Sequence, residues 1–279
     1  MRLIDITAVG RVLHPRYATH RALAALTLLA GVAGGGFHLF SGVALLESAL
    51  WGVGAGFAVY FSWALGRELD PDHDLSAFVG AGLMLVGLLL FGLPSLMVLF
   101  WLLVALRVLN RTVGLPARPL DSLGVLILGG WLIWQGYWMV GLMTAVALLL
   151  DGLLAEPLRY HLLLSGFAFF TTVILSIFHG DIAMEAGPTL LTVISSVLVA
   201  GLFLVVIVTS RHVQAVGDAT GKPLNPRRVQ AAQAFALLTA LLMAWWEGAS
   251  GVAALTPLWT ALLGVALYRL AILFQARRR

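Results

Sequence analysis

The 279-residue sequence contains no cysteine and little charge, and both shortages limit what the protein can be. Without cysteine the chain cannot form disulfides, cysteine-ligated zinc sites, iron–sulfur centres or a catalytic thiolate. Only 11% of its residues are charged, less than half of the roughly 25% typical of soluble domains, whereas 61% are hydrophobic. A water-soluble fold could not bury so much apolar surface, so the composition predicts an integral membrane protein in contact with the lipid bilayer.

Long apolar runs follow one another along the chain after residue 20. About 20 apolar residues are needed to cross a hydrocarbon core about 30 Å thick, and ten segments are candidates. We expect one all-α domain over 1–279, a polytopic transmembrane helical bundle, with 1–20 as a cytoplasmic or interfacial segment. Stretches 75–109 and 122–155 are each long for one span and short for two. The candidate spans are 21–40, 43–66, 75–92, 95–109, 122–138, 139–155, 161–179, 189–209, 229–247 and 252–275.

Basic residues provide an independent check on the number of spans, because each added span moves every later loop across the membrane. With ten spans, all 17 lysine and arginine residues fall on one side. The positive-inside rule therefore predicts ten spans with both termini cytoplasmic, in a plasma membrane of the prokaryotic inner-membrane type. The same distribution explains the net charge of +4 without nucleic acid as a partner. The turns without lysine or arginine lie near 41, 93, 138, 180–188 and 248–251.

Two acidic turns, at 70–74 and 181–185, occupy equivalent places in two halves of five spans each. An odd number of spans per half would give the two halves opposite orientations, as in transporters built from inverted repeats. We therefore expect an inverted five-plus-five repeat. Together with the short loops, this arrangement favours a small-solute transporter or channel with no cofactor.

The acidic turns also contain the candidate binding residues. Asp70 and Asp74 lie four positions apart, and Asp181 and Glu185 repeat that spacing. On a helix this spacing places two carboxylates on one face, where Asp70 and Asp74 could share Mg²⁺. Helix capping is the alternative, because Asp70 followed by Pro71 is typical of a helix start.

Ionisable side chains inside the apolar runs are few. Burying a charge in lipid is costly, so each of them is a candidate for function. Glu47 and His179 join the candidate substrate-binding set on this ground, although both lie near span ends, where a side chain can reach the interface. His38, Asp151 and Glu247 occupy similar positions near the ends of their runs.

Ser62, Gly66, Asp70 and Asp74 resemble the Asn-xxx-Gly-xxx-Asp-xxx-Asp loop of UbiA-type prenyltransferases, with serine in place of asparagine. The second acidic pair resembles the second acidic loop of that family. The resemblance implies an enzyme that acts on an isoprenoid or lipid diphosphate with Mg²⁺ held by these carboxylates. It also implies that both loops lie on one membrane face, whereas five intervening spans place them on opposite faces.

A third interpretation is a non-catalytic subunit of a larger membrane complex. Its exposed tryptophans would then form contact surface for partner chains, and oligomerisation is compatible with all three interpretations. The transporter and the enzyme each imply a small-molecule substrate.

Overall fold

The computed structural model describes residues 7–11, 14–179 and 187–277, which are helical and contain no strand. Each of the ten predicted apolar segments contains one helix, and a short additional helix precedes the last of them. The described helices are α1 (Ala18–Phe40), α2 (Leu45–Leu69), α3 (Asp74–Phe91), α4 (Leu96–Asn110), α5 (Pro119–Trp134), α6 (Trp138–Leu153), α7 (Tyr160–His179), α8 (Leu190–Thr209), α9 (Pro226–Glu247), α10 (Ala249–Ala254) and α11 (Thr256–Arg277).

Seven of the described helices are long and apolar enough to cross a bilayer, namely α1, α2, α3, α7, α8, α9 and α11. The other three apolar helices, α4, α5 and α6, have 15, 16 and 16 residues. At 1.5 Å per residue they measure roughly 22–24 Å, less than a hydrocarbon core of about 30 Å. The all-α fold is thus confirmed, with seven helices that could span a membrane by length and composition, and the count of ten spans stays a prediction.

Glycine turns divide both of the long apolar stretches into two helices. Gly92 ends α3 with φ 74°, and Gly136 lies between α5 and α6 with φ 93°. Glycine adopts these positive φ values without the steric cost that a Cβ atom would add. The stretches 75–109 and 122–155 therefore each contain a helix pair.

Contacts between connecting segments define two ends of the bundle. At one end, the backbone N–H of Ala219 donates to the carbonyl of Val113 at 2.9 Å, and that of Asp218 donates to Thr112 at 3.3 Å. At the other end, the backbone N–H of Ser95 donates to the carbonyl of Ala254 at 3.1 Å. We call the first the basic end (connections 70–73, 111–118, 154–159 and 210–225) and the second the turn end (41–44, 92–95, 135–137 and 248–255).

The interior between the helices is packed with apolar side chains. Trp101 of α4, Phe235 of α9 and Met84 of α3 are fully buried. The one polar atom of Trp101 is satisfied locally, since its indole N–H donates to the Thr144 hydroxyl at 2.9 Å. Thr144 in turn donates to the carbonyl of Val140. This part of the bundle is a solid core.

Helix α1 lies at the edge of the bundle and is attached mainly through glycine contacts with α2. A Cβ atom on Gly52 would lie 2.5 Å from the carbonyl oxygen of Gly31, and one on Gly35 would lie 2.9 Å from that of Ser48. Small residues at such positions let two helix backbones approach closely within a membrane. Leu23 and Ala30 are the buried described residues of α1, so most of its surface is left exposed.

Two connections at the basic end share a Gly-x-Pro-x-x-Pro pattern, at residues 114–119 and 221–226. Gly114 and Gly221 both have positive φ, and the last proline of each pattern is the first residue of α5 or α9. The two connections contact each other, and four helices separate them along the chain. The repeated pattern therefore relates two segments of the same orientation in the bundle. The predicted inverted five-plus-five repeat is a different relationship and stays a prediction.

Candidate functional site

Glu68, in the last turn of α2, is the centre of a buried polar cluster at the basic end. Its carboxylate has no exposed surface and accepts hydrogen bonds from Arg107 Nε at 2.9 Å, Asn110 Nδ2 at 3.0 Å and Thr112 Oγ1 at 2.5 Å. Arg107 also donates to the carbonyl of Val9 at 3.0 Å, which ties the described N-terminal segment to α4. A buried carboxylate requires this degree of compensation, because desolvating a charge costs several kcal/mol.

Arg11 extends this cluster to the surface. Its guanidinium donates two hydrogen bonds to the carboxylate of Asp218, at 2.6 and 3.0 Å, and lies 3.9 Å from that of Glu68. Burial alone would lower the pKa of Arg11, but the carboxylates of Glu68, Asp218 and Asp74 outweigh burial and hold the pKa above its ordinary value. Arg11 is therefore a permanent cation that joins the N-terminal segment to the 210–225 connection.

Asp151, near the end of α6, is the centre of a second buried cluster. Arg111 and Arg228 both donate to its Oδ1, at 3.0 and 2.7 Å, and His161 contacts its Oδ2 at 2.7 Å. Arg228 further donates to the carbonyls of Leu109 and Ala155. One carboxylate thus fastens together the basic ends of α4, α6, α7 and α9.

Ser122, His161 and Asp151 form a chain in the order found in serine hydrolases. The Ser122 hydroxyl lies 2.6 Å from His161 Nε2, whose Nδ1 contacts Asp151. Hydrolysis additionally needs a space about 3 Å from the serine oxygen for the reacting carbon. The Ser122 hydroxyl is instead enclosed between His161, the Arg118 carbonyl at 3.2 Å and the Tyr160 hydroxyl at 3.3 Å. We interpret the chain as a structural connection between α5, α6 and α7.

The acidic pair Asp70 and Asp74 adopts a different geometry from the predicted one. Asp70 is the C-cap of α2, where its backbone N–H donates to Gly66, and Asp74 is the first residue of α3. The interpretation of Asp70 as a helix N-cap is therefore wrong, because α2 continues to Leu69 and the chain turns at 71–73. The two carboxylates belong to two helices and do not share one helix face.

Arginine side chains already neutralise both carboxylates. Asp70 is buried and contacts Arg269 at 3.2 Å and His73 at 3.1 Å, whereas Asp74 is half exposed and pairs with Arg67. Within the described residues, no group of three or more histidine or acidic side chains could hold a metal ion. Mg²⁺ binding by Asp70 and Asp74 stays a prediction without a supporting ligand set.

Two other predicted site residues, Glu47 and His179, lie away from the basic end. Glu47 is exposed in the first turn of α2, near the turn end. His179 is the last residue of α7, which begins at the basic end and extends about 28 Å from it at 1.5 Å per residue. Asp181 and Glu185 lie outside the described residues.

A groove of about 800 Å³ runs along one side of the α1–α2 pair. Its walls are aliphatic and aromatic, its floor contains glycines of both helices, and Arg11 and Tyr60 lie at its basic end. The exposed fractions of Leu28, Val32 and Leu45 are 68%, 74% and 71%, so the groove opens to the outside of the bundle rather than to its centre.

A smaller cavity of about 260 Å³ opens between α3, α8 and the α10–α11 region. Leu90 and Phe91 contribute apolar surface, and Ser195, Ser196 and Thr260 contribute hydroxyl groups. It also lies on the flank of the bundle, since Leu90 is 70% exposed.

Comparison of the sequence and the structure with family models, curated proteins and solved structures finds no match.

Proposed function

We propose that the protein spans the bilayer ten times with its basic end in the cytoplasm, and that it binds the hydrocarbon chain of a lipid in the α1–α2 groove. The observation that carries this proposal is the groove itself. It is long, apolar and open toward the surface that lipid would contact, and its floor is formed where glycines of α1 and α2 bring the two helix backbones together.

The contacts between connections support ten crossings. The 111–118 and 210–225 connections hydrogen-bond to each other, and an even number of helices separates them. Short helices such as α4 can be accommodated by local thinning of the bilayer at modest cost. The basic residues of the described connections collect at this end, as the positive-inside rule requires of the cytoplasmic side.

The dimensions and lining of the groove suit a lipid chain. Its volume falls within the roughly 300–1,000 Å³ of ligand sites, which are mostly apolar with few polar groups. At Gly36, which lines the groove, an added Cβ atom would meet no other atom within 4 Å. The groove is therefore open at this point of its floor.

Lipid binding receives stronger support than solute transport. Transporters hold their substrates near the bilayer midplane, between helices that are interrupted there. In this protein the corresponding interior is occupied by Trp101, Phe235 and Met84. The α1–α2 groove and the smaller cavity beside α3 and α8 both lie on the flanks of the bundle.

Filling the groove tests the proposal. The substitution Gly36→Leu adds a branched side chain to the groove, and its Cβ atom would meet nothing within 4 Å. The matched control is Gly201→Leu on the exposed surface of α8, where an added Cβ atom is equally unobstructed. Native mass spectrometry of the purified proteins would count the bound lipids. We expect Gly36→Leu to lose most of the tightly bound lipid and Gly201→Leu to retain it, with similar unfolding temperatures. Equal lipid occupancy in the two variants would contradict the proposal.

A further inference from the structure

Positive charge is concentrated where the α1–α2 groove meets the basic end. Arg16 and Arg21 are both exposed at the start of α1, and neither has an ion-pair partner among the described residues. The contacts that Arg21 makes are long ones, from its guanidinium to the carbonyls of Pro15 at 3.3 Å and Arg16 at 3.5 Å. Carbonyls do not neutralise a guanidinium, so within the part of the chain that the structure describes neither arginine is paired with an anion.

The other charged side chains near the groove form ion pairs among themselves and leave the charges of Arg16 and Arg21 unbalanced. Arg11 and Arg107 carry two positive charges, and their partners Glu68 and Asp218 carry two negative ones. Arg67 is similarly balanced by Asp74. Among the described residues around this mouth of the groove, the excess positive charge therefore comes from Arg16 and Arg21.

Arg21 lies about one to two helical turns before the groove, and Arg16 is next to it, since the Arg21 guanidinium contacts the Arg16 carbonyl at 3.5 Å. Arg21 precedes Thr27, the first groove residue of α1, by six positions, or about 9 Å at 1.5 Å per residue. Guanidinium groups bind phosphate oxygens with two parallel hydrogen bonds. Anionic lipids of the cytoplasmic leaflet present such a phosphate at the depth where basic side chains border a span.

We propose that the lipid in the α1–α2 groove is an anionic phospholipid of the cytoplasmic leaflet, whose phosphate is bound by Arg16 and Arg21. This inference rests on the proposed function, because it requires a lipid in the groove. It adds the charge class of the ligand and the residues that select it.

The test uses the full-length protein in nanodiscs that contain equal amounts of phosphatidylglycerol and phosphatidylcholine. The double variant Arg16→Gln/Arg21→Gln is compared with Arg159→Gln/Arg227→Gln, which removes the same charge from exposed positions of the basic end away from the groove. Native mass spectrometry measures both the number of bound lipids and their identity.

We expect the unaltered protein and the control to retain phosphatidylglycerol preferentially. The Arg16→Gln/Arg21→Gln variant should still bind lipid but lose roughly tenfold or more of that preference, since each basic side chain near an anionic surface contributes a several-fold attraction. Bound lipid without any preference in the unaltered protein, or equal losses in the two double variants, would overturn this inference alone. Absence of bound lipid from the unaltered protein would overturn the proposed function as well.

Discussion

The two ends of the bundle are held together by different forces. At the basic end, buried carboxylates at Glu68 and Asp151 accept bonds from arginines that come from other helices. At the turn end, short glycine turns are joined by a Ser95–Tyr137 hydrogen bond of 2.8 Å and by an edge-on contact of Trp138 with Trp246. Within lipid, apolar side chains gain no hydrophobic driving force from helix association, so polar contacts between helices contribute more to which helices pair. The comparison indicates that the ion pairs of the basic end determine which connections meet.

The largest effect is expected from Asp151→Asn. The change leaves Arg111 and Arg228 buried without their shared anion, and breaking a buried ion pair typically costs about 3–5 kcal/mol. Tryptophan fluorescence during thermal unfolding in detergent would measure the loss. The control Glu47→Gln makes the same chemical change at an exposed residue near the turn end and should leave the unfolding temperature nearly unchanged. Similar unfolding temperatures for Asp151→Asn and Glu47→Gln would contradict the inference that buried ion pairs stabilise the basic end.

A smaller effect is expected from Ser122→Ala. It leaves the Nε2 atom of His161 buried and without a partner, which costs roughly 1–3 kcal/mol. Because the Ser122 hydroxyl is enclosed, we also expect a fluorophosphonate probe to leave the unaltered protein unlabelled. Labelling that disappears in Ser122→Ala would show a reactive serine, and the structural interpretation of the Ser122–His161–Asp151 chain would then be wrong.

The smallest effect is expected at the turn end. Tyr137→Phe removes the hydrogen bond to Ser95 and keeps the ring, so the cost should be about 0.5–1.5 kcal/mol, the net value of one such bond. The same unfolding measurement applies. A loss as large as that of Asp151→Asn would mean that the turn end, too, depends on a specific polar contact.

The positions of the helices could be predicted from the sequence because an apolar run of sufficient length is a local property of the chain. Every predicted segment contains a helix. Gly92 and Gly136 lie at the turns that divide the stretches 75–109 and 122–155, which are each too long for one ordinary span. The lengths of α4–α6, 15 to 16 residues each, fall short of a full span, so composition predicts the number of helices but does not by itself fix the number of membrane crossings.

The site could not be predicted in the same way, because its contacts join distant parts of the chain. Arg228 and Asp151 are 77 residues apart, and Arg107 and Glu68 are 39 apart. Asp70 followed by Pro71 carries the local pattern of a helix start, but its carboxylate is engaged by Arg269 of α11. The repeated Gly-x-Pro-x-x-Pro pattern was a sequence signal that could have placed the 111–118 and 210–225 connections at one end.

We predict that the 111–118 and 210–225 connections lie on the same side of the membrane. Labelling of single introduced cysteines tests this most directly, because the chain contains no cysteine of its own. Leu115→Cys and Lys222→Cys would report on the two connections, and Gln135→Cys on the turn end. With a membrane-impermeant maleimide, we predict that the first two react only from the cytoplasmic side and the third only from the outside. Labelling of Leu115→Cys and Lys222→Cys from opposite sides of the membrane would contradict the account.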